Sequence, residues 1–386
     1  MVYTFDSSMT GAPVLSGTAG ALRAVLKACM VDGFGAGAVA TLTVAAGIAT
    51  ASFAGAHPYR IGTTTQIGGA TPAGLNGQKR ILSTTASAIT FDATGIADGA
   101  ATGTITHKVA AAGWQELFAG SVTNVLCLKP TGVEATGCVL RIGDTGTTNA
   151  RVLAYEAMTD VSTGVGPTPL ESQMAGGLFW PKSSVASATA RDWRLVADER
   201  GFYLAVAPAG SDRYTLLYGG DIASLKSGDA YGYLLTGNQA DQTNTSSVPD
   251  GCVGYSHRSA RTGAYLVRSH TAIGQSTAVQ RLGAHHNGSM VDVYAGTAGY
   301  SVGTYPNGPN NGLMTGALEL HTLGIRGTLP GLLHPVQDCG NAFATGAIVD
   351  GTGDLAGRRL MAIRTGPPAS GTAGTVFIDI TGPWVR

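Results

Sequence analysis

Charge is what this sequence has least of. Only 12% of its 386 residues are Asp, Glu, Lys or Arg, about half the roughly 25% of an ordinary soluble domain. The 24 basic and 24 acidic side chains cancel to a formal charge of zero. Clustered Lys and Arg, the footprint of a nucleic-acid binder, are therefore missing, and no nucleic-acid partner is expected. Cysteine is also scarce. Cys29, Cys127, Cys138, Cys252 and Cys339 are odd in number and widely spaced, and with no C-x-x-C pair neither a zinc ribbon nor a thioredoxin-type site is available. Reduced, buried thiols are the expectation. The first fifteen residues, MVYTFDSSMTGAPVL, lack the basic and apolar regions of a secretory signal. Residues 41–53 are apolar and Ala-rich, but Thr and Gly interrupt them and they are too short to span a bilayer. These absences predict a chain made in the cytosol and not inserted in a membrane. No helical period is visible after residue 35, and no fixed repeat.

Glycine is what the chain has in excess: 57 residues, about 15% against a usual share of roughly 7%. Gly and Pro together still fall short of the roughly 25–30% that marks low complexity, and the 44% hydrophobic content is enough for a core. A surface with so little charge, at zero net charge, favours association. The composition thus leans towards a subunit that buries much of its surface in a large assembly.

Three regions are expected. Residues 1–35 read as an extended arm, rich in Gly11 and Pro13 turns, followed by one short helix. Leu22, Val25, Leu26 and Cys29 fall at i, i+3, i+4 and i+7 on a single face, with Ser16 or Thr18 as cap and Asp32-Gly33 as stop. So little surface cannot make its own core, so the arm should dock on a neighbour or on the following region. Residues 36–113 carry five or six short β-branched runs, enough for a small β-barrel or sandwich. Among them, 39–44 and 48–53 flank a three-residue loop, and Asn76-Gly77 carries a type I′ turn signal. Residues 114–386 read as a larger β-sandwich-like region. Its hairpins pair 139–142 with 150–156 and 193–198 with 201–206, and further strands are expected near 231–235, 264–267 and 376–380. The Asn-, Thr- and Ser-rich stretch 237–250 should be an exposed loop. The fold class is mainly β.

No catalytic or cofactor site emerges. His285-His286 would point to opposite faces of a strand, and His334, Asp338 and Cys339 lack zinc-motif spacing. Asp350-Gly351-Thr352-Gly353-Asp354 is a Gly-rich acidic turn without the EF-hand register. There is no G-x-S-x-G elbow. Residues 69–76 have the two P-loop glycines without the Lys that must follow. A glycosidase would need two carboxylates across a sugar. Glu156 with Asp160 and Asp192 with Asp198 are candidates by type only, and spacing cannot choose between them. Trp180, Trp193 and Tyr203 lie in strand-like runs, where core packing is expected over sugar stacking. Catalytic, metal and cofactor residues are accordingly all expected to be absent.

Three stretches carry a resemblance. The first is DSSMTGAPVLSGTAG at 6–20, continuing through the helix to VDGFG at 31–35. The second is LRIGDTG at 140–146, with Ala150-Arg151-Val152, YEAMTD at 155–160, WPKSS at 180–184 and ARDW at 190–193. The third is RGTLPGLLH at 326–334 with DITGPW at 379–384. Together they resemble a family of tailed-bacteriophage virion proteins. The resemblance implies a non-enzymatic structural component, assembled in the host cytoplasm into the tail tip or baseplate of the virion. Other tail or baseplate subunits and further copies of the chain would be its partners. The alternatives are a receptor- or glycan-binding tail protein, with exposed aromatics at 237–250 or 300–311 meeting a host surface glycan, and a capsid decoration protein.

Overall fold

A computed structural model describes residues 1–241, 253, 256–257, 263–269, 273–283, 293–294, 305–306, 311–337, 339, 341–366 and 374–386. The fold is mainly β, with 44% strand and 6% helix, and one of its sheets is curled into a half-barrel.

Residues 34–109 form an eight-stranded antiparallel sheet. Its order is Phe34–Ala38, Thr106–Val109, Thr64–Gly68, Gly77–Thr84, Ala88–Asp92, Ile48–Ser52, Thr41–Ala45 and Gly99–Ala100. Strict alternation builds it: Leu42, Val44, Ala49, Ala51, Ile89 and Phe91 are buried, while Thr41, Thr43 and Thr50 between them face outward. The expected hairpin is present with a tighter connection than three residues. Ala45 pairs with Ile48, and Ala46 and Gly47 both take positive φ, 49° and 76°, the type I′ pattern that matches strand twist. The Asn76-Gly77 turn is not formed. Asn76 is extended at φ −77°, because its side-chain amide is committed elsewhere: its oxygen accepts the Ala70 N–H and its nitrogen donates to the Ala70 carbonyl, both at 2.8 Å.

The helix covers Ala21–Lys27 and continues as a wider turn over Ala28–Asp32. Leu22, Val25, Leu26 and Cys29 are all fully buried. Neither Ser16 nor Thr18 caps it; their hydroxyls bond each other at 2.9 Å, and Gly20 at the cap position has no side chain to offer. The cap comes from far along the chain. An Asp144 carboxylate oxygen accepts the Arg23 N–H at 2.9 Å, and the Asp144 carbonyl accepts the Gly20 N–H at 2.8 Å.

The region from 114 onward holds three large sheets. Gln115–Leu117, Val125–Lys129, Val139–Gly143, Asn149–Tyr155 and Leu178–Pro181 make a five-stranded sheet. A seven-stranded sheet follows, in the order Tyr3–Asp6, Trp193–Ala197, Gly201–Val206, Thr215–Asp221, Tyr233–Thr236, Ala264–Leu266 and Thr277–Ala278. The C-terminal sheet is built on the long strand Ile325–Pro335, with Thr315–His321 on one side and Gly374–Asp379 and Arg359–Thr365 on the other.

Both expected hairpins are in register, Val139 opposite Tyr155 and Trp193 opposite Val206. The seven-stranded sheet is covered on both faces. Along Gly201–Val206, Phe202, Leu204 and Val206 enter one apolar core with Leu22, Leu140 and Trp180, while Tyr203 and Ala205 enter another with Leu332, Ile363 and Ile378. A two-sided burial of this kind explains why the strand has no polar alternation.

The arm docks within its own chain. Its first strand, Tyr3–Asp6, pairs antiparallel with Trp193–Ala197, Tyr3 opposite Ala197. Leu15 then makes a bridge to Arg191. The C-terminus is gathered at the same place. Arg80 donates from one guanidinium nitrogen to the Val2 carbonyl at 3.1 Å and from the other to the Ile380 carbonyl at 2.5 Å.

Candidate functional site

A concentration of charge lies around a cavity of about 600 Å³ bordered by Glu134, Thr136, Arg200, Asp221, Asp229 and Arg386. Glu134 and Thr136 share the loop before Val139, and the other four come from separate places in the chain. Asp221 ends the strand Thr215–Asp221, Arg200 sits in the Asp198–Gly201 turn, Asp229 lies in the loop before Tyr233, and Arg386 is the final residue. Asp221 accepts from the Thr136 hydroxyl at 2.7 Å, from the Thr136 N–H at 3.1 Å and from Arg200 Nε at 3.1 Å. Burial pushes its carboxyl above the ordinary range, and these three donors oppose the shift. Asp229 moves the other way. Burial raises it, but Ser224 Oγ at 2.7 Å, the Arg326 guanidinium and the Tyr231 N–H together hold it below its ordinary value.

Arg386 closes the cluster. Its guanidinium donates to both oxygens of Asp198 and to the Asp221 carbonyl. Burial would lower its pKa, but Tyr218, Asp198 and their hydrogen bonds outweigh that and raise it further above its already high value. Asp198 in turn accepts the N–H groups of Arg200 and Gly201, both at 2.9 Å. The arrangement can hold the C-terminus to the turn and the turn to the sheet. Arg200, Arg326 and Arg386 each face a carboxylate of the chain itself.

A second polar cluster sits in the eight-stranded sheet. The Thr65 hydroxyl donates to Tyr59 Oη at 2.8 Å, and Tyr59 Oη bonds His107 Nδ1 at 2.7 Å. Phe53 lies edge-on to His107, with ring centroids 4.5 Å apart. His57 accepts the Tyr59 N–H on Nδ1 and meets the Thr85 carbonyl through Nε2. Burial pushes the Tyr59 hydroxyl well up, and burial with the nearby His57 pushes His107 down.

The residues weighed from sequence are placed as follows. Glu156 makes a bidentate pair with Arg268 at 2.6 and 2.7 Å, and Asp160 accepts the N–H groups of Ser162 and Thr163 in a turn. Asp192 accepts from the Ser7 hydroxyl at 3.1 Å, and Asp198 is the partner of Arg386. Neither proposed carboxylate pair is gathered around an open site.

Trp180 and Trp193 are fully buried with their indole N–H groups bonded to the carbonyls of Thr236 and Pro13, and Tyr203 donates to the Pro330 carbonyl. All three are core residues. Cys29, Cys127, Cys138 and Cys339 are buried free thiols. Burial raises the Cys127 thiol to about 11 and the Cys138 thiol to about 12. His334 is buried, Asp350 ends the strand Ile348–Asp350 and Asp354 sits in the short 3-10 turn Gly353–Leu355, both exposed, and His285, His286, Asp338 and Cys252 fall outside the described residues. Among the described residues no group of three or more His, Cys, Asp or Glu is placed to hold a metal ion, and no helix is long and apolar enough to cross a membrane.

Of the exposed loop expected at 237–250, the first two residues are not exposed. Gly237 and Asn238 are buried, and Asn238 exchanges two backbone hydrogen bonds of 2.9 Å with Phe179. Residues 242–250 lie outside the described residues, as does most of 300–311. Tyr305, which is described, packs against Phe343 with centroids 4.9 Å apart.

Sequence reasoning missed the cavity cluster. Asp198 and Arg386 are 188 residues apart, and no local pattern joins them. The one available signal was the Asp198-Glu199-Arg200-Gly201 turn itself. No family model and no curated protein matches this chain.

Proposed function

We propose that this protein is a non-enzymatic structural subunit of a tailed-phage particle, positioned in the tail tip or baseplate and assembled in the host cytoplasm with further copies of itself and other tail subunits. The observation that carries this reading is the use made of charge. The ionised groups of the cavity cluster, and all four carboxylates weighed as catalysts, are engaged in fastening turns, loops and sheets to one another. Lys182 and Asp144, both at 0% exposure, are the extreme case. Preorganised rigidity of this kind suits a part that must keep its shape when neighbouring subunits pull on it. The sequence stretches 6–35, 140–193 and 326–384 support the phage assignment through the resemblance they carry.

The test is to ask where the chain resides. Antibody labelling and peptide mass spectrometry of purified particles should find it at the tail end in multiple copies. A chain found in the lysate and never in washed particles overturns the proposal. Labelling spread over the head would instead favour a capsid decoration protein, and protein that binds isolated host polysaccharide would favour a receptor-binding tail protein.

A further inference from the structure

One buried pair has the parts of a covalent reaction. Asp144 stands one residue past the strand Val139–Gly143, and Lys182 one residue past Leu178–Pro181. The strand Asn149–Tyr155 lies between those two in the five-stranded sheet. Backbone bonds fix both positions: the Asp144 N–H donates to the Asn124 carbonyl at 2.8 Å, and the Lys182 N–H to the Thr148 carbonyl at 2.9 Å. Both side chains are at 0% exposure, and Lys182 Nζ donates to Asp144 Oδ1. The other carboxylate oxygen, Oδ2, accepts the Arg23 N–H at 2.9 Å, and the Leu22 N–H bonds the same carboxyl. The Lys182 ammonium has three protons but two acceptors among the described residues, Asp144 and the Thr18 carbonyl at 2.6 Å.

An ion pair this deeply buried carries the desolvation penalty of two charges, and attraction repays it only when every proton and lone pair is satisfied. Burial pushes the Asp144 carboxyl above its ordinary range. That favours passing one Lys182 proton to Oδ1, which leaves a neutral amine against a neutral carboxyl. The nucleophile is then held beside Cγ, and intramolecular placement of this kind is worth effective molarities of up to about 10⁵–10⁸ M. The Leu22 and Arg23 N–H groups already face the carboxyl where negative charge grows as nitrogen adds. Burial also keeps bulk water away from the reacting carbon.

We propose that Lys182 and Asp144 close into an intramolecular amide, a covalent cross-link from Lys182 Nζ to Asp144 Cγ. The amine lone pair adds to Cγ, and the Cγ–Oδ1 bond breaks. Oδ1 leaves as water, carrying the proton it took from the ammonium and a second one released by the nitrogen. No oxidant, reductant or co-reactant is consumed. The product keeps the bonds that the pair supplied. Its one remaining N–H donates to the Thr18 carbonyl, and its carbonyl oxygen, the former Oδ2, accepts from Arg23. Two buried charges disappear, and with them the penalty of burying them. The cross-link closes a loop of sequence separation 38 and ties two strand ends to the helix that follows the arm. The inference does not depend on where the chain assembles.

Electrospray mass spectrometry of the purified, folded full-length chain should give an intact mass one water lighter than its sequence requires, after any N-terminal processing is accounted for. Trypsin should then release a joined species, Ile142–Arg151 linked to Val152–Arg191, because an acylated Lys182 is no longer cleaved. Lys182→Arg keeps the positive charge but places a poor nucleophile there, and it should show the full mass with Ile142–Arg151 recovered alone. A full intact mass for the folded parent chain overturns the proposal, and that outcome requires no variant to fold. A water lost while Ile142–Arg151 is still recovered alone also overturns it, because the loss then lies elsewhere, as in a succinimide at Asp32-Gly33 or Asp350-Gly351. So does a joined species that persists in Lys182→Arg.

Discussion

Replacing Lys182 tests most sharply how the arm is held. Its ammonium lies with Asp144 at 0% exposure for both side chains, and it also donates to the Thr18 carbonyl. Asp144 is the remote cap of the first helix. A Lys182→Met variant keeps the packing volume of the stem but leaves Asp144 buried without its counter-charge and the Thr18 carbonyl without its donor. Breaking a buried pair from one side costs about 3–5 kcal/mol, and an orphaned carbonyl adds roughly 1–3 kcal/mol. That total is a large part of the roughly 5–15 kcal/mol that stabilises a typical domain.

The assay is urea unfolding followed by tryptophan fluorescence. Trp180 lies two residues from Lys182 and Trp193 bonds the arm at Pro13. A second signature is the pH dependence. Burial already raises Asp144 above its ordinary 3.8, with Lys182 opposing that rise, so removing Lys182 raises it further. A carboxyl with a raised folded pKa penalises the fold above that pKa, and the penalty fades as pH falls towards the unfolded value. The deficit of the variant should therefore shrink on acidification towards pH 4. A Lys182→Met chain within about 1 kcal/mol of the parent at pH 7, or with a deficit that grows in acid, refutes the reasoning. An Asp144→Leu, Lys182→Met pair should lose less than the sum of the two single changes.

Five further outcomes are expected. Arg386→Ala removes the guanidinium from Asp198, whose side chain is 4% exposed, and should cost about 3–5 kcal/mol by the same one-sided rule, read as a lower midpoint in urea. Gly220→Ala places a methyl 2.2 Å from the Gly201 Cα across the strand pair at a φ of 150° and should cost more than about 3 kcal/mol. Gly77→Ala, at φ 93° with no neighbour within 4 Å, should cost only about 1–2 kcal/mol. His107, held below its ordinary 6.5, contributes stability that is fully present above pH 6.5 and lost as pH falls towards its folded value; thermal midpoints should fall over that window, and less so in His107→Gln. Finally, Cys29, Cys127, Cys138 and Cys339 should react with a maleimide only after unfolding, because all four are buried.

Local physics was legible in the sequence and long-range pairing was not. The hairpins at 139–155 and 193–206 could be read because each strand pairs with its neighbour in the chain. The helix face was visible in Leu22, Val25, Leu26 and Cys29. Its cap was misassigned because Asp144, 121 residues from Arg23, takes the place of Ser16 and Thr18. Asn76-Gly77 has the composition of a turn, yet two hydrogen bonds to Ala70 outcompete the turn conformation. The strand Tyr3–Asp6 was not foreseen at all. Its partner is Trp193–Ala197, and nothing in four residues specifies a register so distant. The charge cluster at Asp198, Asp221 and Arg386 is invisible for the same reason, since three separate elements must fold before it exists.

A reconstruction of the intact particle by electron cryo-microscopy tests the central claim most directly. Symmetric density at the tail end, into which this fold of four large sheets fits, is the expected result. Density for the chain nowhere in the particle, or an isolated chain that turns over a substrate, would contradict it.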